Sequence, residues 1–243
     1  MAGAIEAVVF DWGGTLSTWA DIDLADMWRL AARHLDPARE DDLTELLIAV
    51  EQRSWDRVRH DQKATTLAAL LAEATEASGL DVAAAVIEEA ASGHLEAWSP
   101  HIVHAEDAAP TLAACRGLNL RTGLLSNTHW PREFHERFLA RDGLDQLLDV
   151  RIYTSELKRT KPHPLAFKAV LDALDVPASR TVFVGDRPYD DIFGAQSLGM
   201  RTVLMAGRPV DTYDAVKPDA TISTLSELIG VIDEWLDPRD PRR

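Results

Sequence analysis

The stretch Ala7-Val8-Val9-Phe10-Asp11-Trp12-Gly13-Gly14-Thr15-Leu16 decides the fold. Four apolar residues in a row, stopped by an acid and followed by a glycine turn, read as a parallel strand buried on both faces. Working outward, the pattern recurs. Leu120 to Leu125 runs into Ser126-Asn127, a strand is expected near 149–153, Thr181-Val182-Phe183-Val184 runs into Gly185-Asp186, and Thr202–Met205 follows. Helical spacing separates these runs near 107–116, 131–141, 164–174, 190–198 and 224–235. Alternating strand and helix predict an α/β fold, a doubly wound parallel sheet of Rossmann-like form.

Between residues 17 and 103 the strand signal vanishes. Leu43, Leu46, Leu47 and Val50 share one helix face, and Leu67, Leu70, Leu71 and Ala74 share another. Pro37 and Ser78-Gly79 break the run, predicting four helices near 23–35, 38–60, 65–78 and 81–97. The chain has 243 residues, whereas an open sheet with two helical layers needs about 150. The surplus therefore has a place: an all-helical cap over 17–103, inserted into a core made of 1–16 and 104–243. The tail from Asp237 to Arg243 reads as disordered.

Composition excludes several classes. Hydrophobic residues make up 46% and charged residues 27%, the balance of a folded globular chain. No apolar run reaches the roughly 18 residues of a membrane span, and the N-terminus lacks a secretory pattern. Cys115 stands alone, so neither an intrachain disulfide nor a cysteine zinc cluster forms. A cytoplasmic location is expected. The formal net charge of −15 makes nucleic acid and anionic membranes poor partners. Residues 17–103 hold 17 acidic and 7 basic side chains, so most of that charge lies in the expected cap. An acidic lid suits small, weakly charged or cationic substrates over polyanions.

Asp11, Ser126 and Asp186 each follow an apolar strand. Each one alone is also what a strand-ending turn or helix cap looks like. Together they point elsewhere, because the carboxyl ends of parallel strands converge on one ligand crevice. In order along the chain stand Val9-Phe10-Asp11-Trp12-Gly13-Gly14-Thr15-Leu16, Leu125-Ser126-Asn127-Thr128, Lys161-Pro162-His163-Pro164 with Phe167, and Gly185-Asp186-Arg187-Pro188-Tyr189-Asp190-Asp191-Ile192 with Gly194-Ala195. This set resembles the four motifs of the haloacid dehalogenase-like superfamily, in its helical-cap subclass. The resemblance covers the chain outside the insert and the tail.

The resemblance implies roles. Asp11 would take a phosphoryl group as an aspartyl-phosphate. Mg²⁺ would be held by Asp11, the Gly13 carbonyl and Asp186, supported by Asp191 or by its neighbour Asp190. Ser126 would hold phosphate oxygens, and Lys161 would neutralise both phosphate and Asp11. Trp12, Gly14, Thr15, Asn127 and Thr128 would shape the substrate site, with Trp12 at its mouth and Thr15 steadying the loop. The substrate would be a small phosphorylated or phosphonate molecule.

Gly13 departs from the pattern. Phosphatases of the family carry a second Asp there, which protonates the leaving oxygen and then activates water. Four readings remain open. The first is Mg²⁺-dependent phosphoryl-group hydrolysis restricted to good leaving groups, with His129 as a substitute acid or merely a loop histidine facing water. The second resembles phosphonoacetaldehyde hydrolases, which cleave a C–P bond through a Schiff-base lysine; Lys63 is the sole lysine of the insert. The third is a metal-independent 2-haloacid dehalogenase, against which the retained Asp186 and Asp191 argue. The fourth is a ligand-binding protein with weakened catalysis. His94, His101 and His104 read as a polar loop around Pro100. Trp19, Trp28, Trp55 and Trp98 read as core residues or as the lining of a substrate pocket.

Overall fold

The computed structural model describes residues 5–207, 213 and 216–236. The expected disordered tail lies outside them. Six parallel strands form one sheet: β1 (Ala7–Phe10), β2 (Arg121–Ser126), β3 (Val150–Tyr153), β4 (Thr181–Gly185), β5 (Arg201–Met205) and β6 (Ala220–Ile222). Their spatial order is β3-β2-β1-β4-β5-β6, and every pairing is parallel. The chain leaves β1 toward β2 and β3 on one side and fills β4 to β6 on the other. The carboxyl end of β1 is therefore the switch point where a crevice opens.

All four residues of β1 are buried. Side chains alternate between faces. Val8 and Phe10 join one core cluster with Leu112, Leu124, Phe134, Val182, Val184 and Leu228. Ala7 and Val9 join the other with Leu125, Phe167, Val170 and Phe183. Helices α5 (Ala108–Gly117), α6 (Arg132–Arg141) and α9 (Leu228–Leu236) supply the first layer, and α7 (Pro164–Leu174) the second. A π-helical turn at Pro188–Phe193 runs into the short α8 (Gly194–Gln196) where one helix was expected. The three-residue β6 was not expected at all.

Four helices lie between β1 and β2: α1 (Leu24–Leu35), α2 (Glu40–Asp61), α3 (Leu67–Ser78) and α4 (Ala84–Trp98). They agree with the sequence reading within a few residues and bury their own cluster, including Trp28, Leu43, Leu47, Val50, Leu70, Leu71 and Ala90. Local chemistry sets their ends. The Asp23 side chain caps the Ala25 N–H at 2.9 Å to start α1. Gly79 closes α3 at φ +68°. Two connections join this unit to the sheet side by side, through Thr18 N–H to Val103 O (2.9 Å) and Ala105 N–H to Leu16 O (2.9 Å). Among the described residues no helix is long and apolar enough to cross a membrane.

Candidate active site

Strand register builds the site. Phe10 pairs with Leu124 on one side and Val184 on the other, so Asp11, Ser126 and Asp186 emerge at one edge. The Asp11 N–H donates to Val184 O at 2.8 Å. The next turn brings Gly14 to φ +81°. A Cβ there would stand 2.2 Å from Trp19 Nε1 and 2.5 Å from Asp186 Oδ2, so glycine is required. At Gly13 an added Cβ meets nothing within 4 Å.

Asp11, Asp186 and Asp191 each place a carboxylate oxygen within 4.8 Å of the other two. Asp190 does not belong to this group; its carboxylate lies 3.7 Å from Arg187 Nη1. Asp191 is fully buried because Gly185 leaves room, an added Cβ meeting its carboxylate at 2.4 Å. Lys161 Nζ bridges Asp11 Oδ1 at 2.5 Å and Asp191 Oδ1 at 2.7 Å. Asn127 fixes the backbone of Lys161 from both sides: its Nδ2 donates to Lys161 O at 3.1 Å, and its Oδ1 accepts from Lys161 N–H at 2.9 Å. Thr128 is engaged likewise, its hydroxyl taking the Trp130 N–H at 3.0 Å and facing His135 Nε2 at 3.0 Å. Ser126 and Trp12 line the same cavity. Thr15 was expected to steady the loop, but its buried hydroxyl has no hydrogen-bond partner among the described residues; the turn is held by backbone bonds instead, Gly14 N–H to Ser17 O at 2.8 Å and Ser17 N–H to Trp12 O at 2.7 Å.

Three carboxylates and one lysine leave the cluster short of positive charge. Burial pushes Asp11 up to about 6, against the pull of Lys161. Burial, then the charges of Asp11 and Asp191, pushes Asp186 up to about 7. Burial works to lower the Lys161 pKa, but Asp11 and Asp191 outweigh it and hold it above its usual value. Asp186 Oδ1 is buried without a hydrogen-bond partner. Hard oxygen donors, surplus negative charge and an orphaned carboxylate oxygen are the donor set of a small divalent cation.

A cavity of about 280 Å³ opens from Asp11 toward the four helices. Five indoles line it: Trp12 follows Asp11, Trp19 Nε1 donates to Asp186 Oδ2 at 3.1 Å, and Trp55 and Trp130 flank His129 with Trp98 beside Trp130. Trp28 is instead fully buried among the helices. Three expectations are corrected here. His129 does not face water; α2 and α3 cover its loop, Leu67 N–H donates to His129 O at 2.7 Å, and the ring is 5% exposed on the cavity. His94 and His104 are not a polar loop. His94 stacks on Trp28 at 3.7 Å, and His104 is held between Trp12 Nε1 (3.1 Å) and Asp142 (2.6 Å). Lys63 lies outside the cavity lining. Its side chain is 68% exposed and 3.5 Å from Asp61, which leaves the Schiff-base reading without its lysine.

Sequence reasoning missed Glu51. Leu43, Leu47, Val50, Ser54 and Val58 form the buried stripe of α2, and Glu51 interrupts it. An acid on an apolar helix face was the available signal. Glu51 accepts from Trp28 Nε1 at 2.7 Å and lies 3.6 Å from His129 Nε2.

A sequence model of the family described as haloacid dehalogenase-like hydrolase matches residues 5–199. The chain is 32% identical over 123 residues to a glyceraldehyde 3-phosphate phosphatase of Methanocaldococcus jannaschii, covering 50% of this chain and 53% of that one. It is 32% identical over 105 residues to the pyrophosphatase PpaX of Bacillus mycoides, covering 42% and 47%. It thus spans about half the length of these curated relatives. A solved 2-haloacid dehalogenase from Pseudomonas syringae pv. Tomato superposes with a TM-score of 0.68 at 27% identity, covering 95% of this chain and 99% of that one. A phosphatase from Thermococcus onnurineus superposes with a TM-score of 0.65 at 23% identity, covering 94% and 98%, a likeness of fold alone.

Proposed function

The chain belongs to the haloacid dehalogenase-like hydrolases, and within that family we propose that it hydrolyses small phosphate esters through Asp11. One observation carries the reading: Asp11, Asp186 and Asp191 are gathered within 4.8 Å, and Asp11 and Asp191 share the buried Lys161. The curated relatives named as phosphatases support it.

Asp11, Asp186 and the Gly13 backbone carbonyl would hold Mg²⁺, with Asp191 supporting from behind. The ion supplies charge neutralisation at the phosphoryl oxygens. Asp11 is the nucleophile: its carboxylate oxygen bonds to phosphorus as the P–O bond to the leaving group breaks, the departing oxygen takes its proton from solvent, and water then cleaves the aspartyl-phosphate to inorganic phosphate and free Asp11. Lys161 holds Asp11 in line and offsets charge as the phosphoryl group approaches. Asp191 anchors that lysine on its far side, and Asn127 fixes its backbone. Ser126 at the end of β2 takes a phosphoryl oxygen. Residues 17–103, as a cap on a core of 1–16 and 104–243, exclude water and select the substrate.

Gly13 supplies no proton to the leaving oxygen. Loss of a general acid costs roughly 10²–10⁴-fold, and the penalty is smallest for leaving groups that need no proton. Turnover of acyl, aryl and alkyl phosphates with Mg²⁺ should therefore fall steeply as the leaving group becomes more basic. A flat profile would refute this.

A second reading, a haloacid dehalogenase, is favoured by the 27% identical solved structure and by Gly13. It requires chloride release from a 2-haloacid that persists in EDTA. The acidic triad argues against that outcome, since surplus carboxylates repel a carboxylate substrate.

A further inference from the structure

We infer that the aromatic end of the cavity is a subsite for an organic ammonium group, so that the substrate is a small phosphate ester whose alcohol portion carries a positive charge. Glu51 is 8% exposed and lines the same cavity as Asp11. A buried carboxylate requires a compensating charge. The other acids of the lining have one: Asp11 pairs with Lys161 at 2.5 Å, and Asp190 faces Arg187 at 3.7 Å. Among the described residues no lysine or arginine pairs with Glu51. Among the described residues its ion-pair partner is His129 at 3.6 Å, which burial holds below its ordinary pKa and hence neutral near pH 7.

The walls around Glu51 match the missing cation. Trp55 and Trp130 stand 5.6 and 6.0 Å from the ring of His129, the neighbour of Glu51, and Trp98 lines the cavity beside them. Trp98 and Trp130 meet at 5.0 Å between ring centres, and Trp12 stands 6.2 Å from Trp130. Indole faces attract cations, most strongly where water is excluded. At the Asp11 end an indole of the same cavity already faces a cation, the Arg187 guanidinium 5.6 Å from Trp19. The cavity is therefore polarised. Lys161 and Arg187 stand at the Asp11 end, where a phosphate would lie, with Trp19 between Asp186 and Arg187, while Glu51, His129, Trp55, Trp98 and Trp130 make the other end. A zwitterionic ester fits that polarity; a second anionic group would face Glu51 instead. The acidic balance of the four-helix segment acts in the same direction.

The inference rests on the phosphohydrolase reading for its phosphate end only, and its test does not use turnover. Choline and its neutral isostere 3,3-dimethylbutan-1-ol would be titrated against the tryptophan fluorescence of the full chain. Choline should quench saturably at concentrations at least about tenfold lower than the isostere, as expected of a desolvated cation–π site. Glu51→Gln keeps an oxygen acceptor for Trp28 and should bring the two probes to within about threefold of each other. If thermal melting shows that this variant is unfolded, Trp55→Leu, at a half-buried position, should weaken the choline response. Equal response to both probes, no saturable response, or a choline preference that survives these substitutions would overturn the subsite. Acetyl phosphate turnover is measured beside it. A choline preference without turnover sinks the phosphohydrolase reading and keeps the subsite, and turnover without the preference does the reverse.

Discussion

Gly13 is where residue chemistry bears most directly on rate. Its missing side chain leaves open space, so Gly13→Asp is sterically admissible. The new carboxyl should raise kcat on alkyl phosphates by about 10-fold or more while changing acyl phosphates little, measured as steady-state rates on both. No gain would mean that another group already donates the proton. Lys161 is the opposite case, a residue whose removal exposes what it holds. Lys161→Met leaves Asp11 and Asp191 buried without their shared cation. Breaking a buried pair costs about 3–5 kcal/mol. Urea unfolding should show a loss of that order in EDTA and partial recovery in Mg²⁺; a loss unaffected by Mg²⁺ would disconnect the lysine from a metal site.

At the scale of the element, the four helices bury a cluster of their own. Leu47→Ala removes a fully buried side chain from that cluster and should cost about 2–5 kcal/mol. Hydrogen exchange should then quicken in α1–α4 while β1, β2 and β4 stay protected. Uniform quickening across the sheet would mean that the helices do not open separately. These elements were legible in the sequence because their signals are long. A 22-residue helix repeats its apolar stripe several times, and an unbroken run such as Ala7–Phe10 suits a central parallel strand. Ala220–Ile222 is too short to carry a period, and a π-turn leaves no mark separable from a helix. The gathering of Asp11, Ser126 and Asp186 at one edge was legible because strand ends converge. The opposite wall was not, because it depends on where α2 and α3 come to rest. Nothing local to His129 says that Leu67 covers it.

Across the whole molecule, two sets of buried groups set the pH response. Burial holds His94 well below its ordinary pKa, lowers His129, and brings His135 to about 3. As pH falls below about 6.5 the unfolded chain binds these protons first, so stability present above that pH is lost. Asp11, Asp186 and Asp190 act oppositely, with folded pKa values raised to about 6, 7 and 6. Here the metal-free folded chain takes protons first, so stability is gained as pH falls from about 7 toward 4. A bound divalent cation keeps its carboxylates ionised and removes that offset. The stabilisation by Mg²⁺ should therefore be larger near about pH 7.5 than near about pH 5.5, read as the shift in urea midpoint against EDTA at each pH. A shift independent of pH would argue against binding at the acidic triad.

The central claim is that Asp11 carries the phosphoryl group. Acid-quenched mass spectrometry of the Mg²⁺-loaded chain during acetyl phosphate turnover tests it most directly. The account predicts a phosphoryl adduct on the Asp11 peptide, absent in EDTA and in Asp11→Asn. Turnover with Asp11 unmodified, or an adduct on another residue, would contradict it.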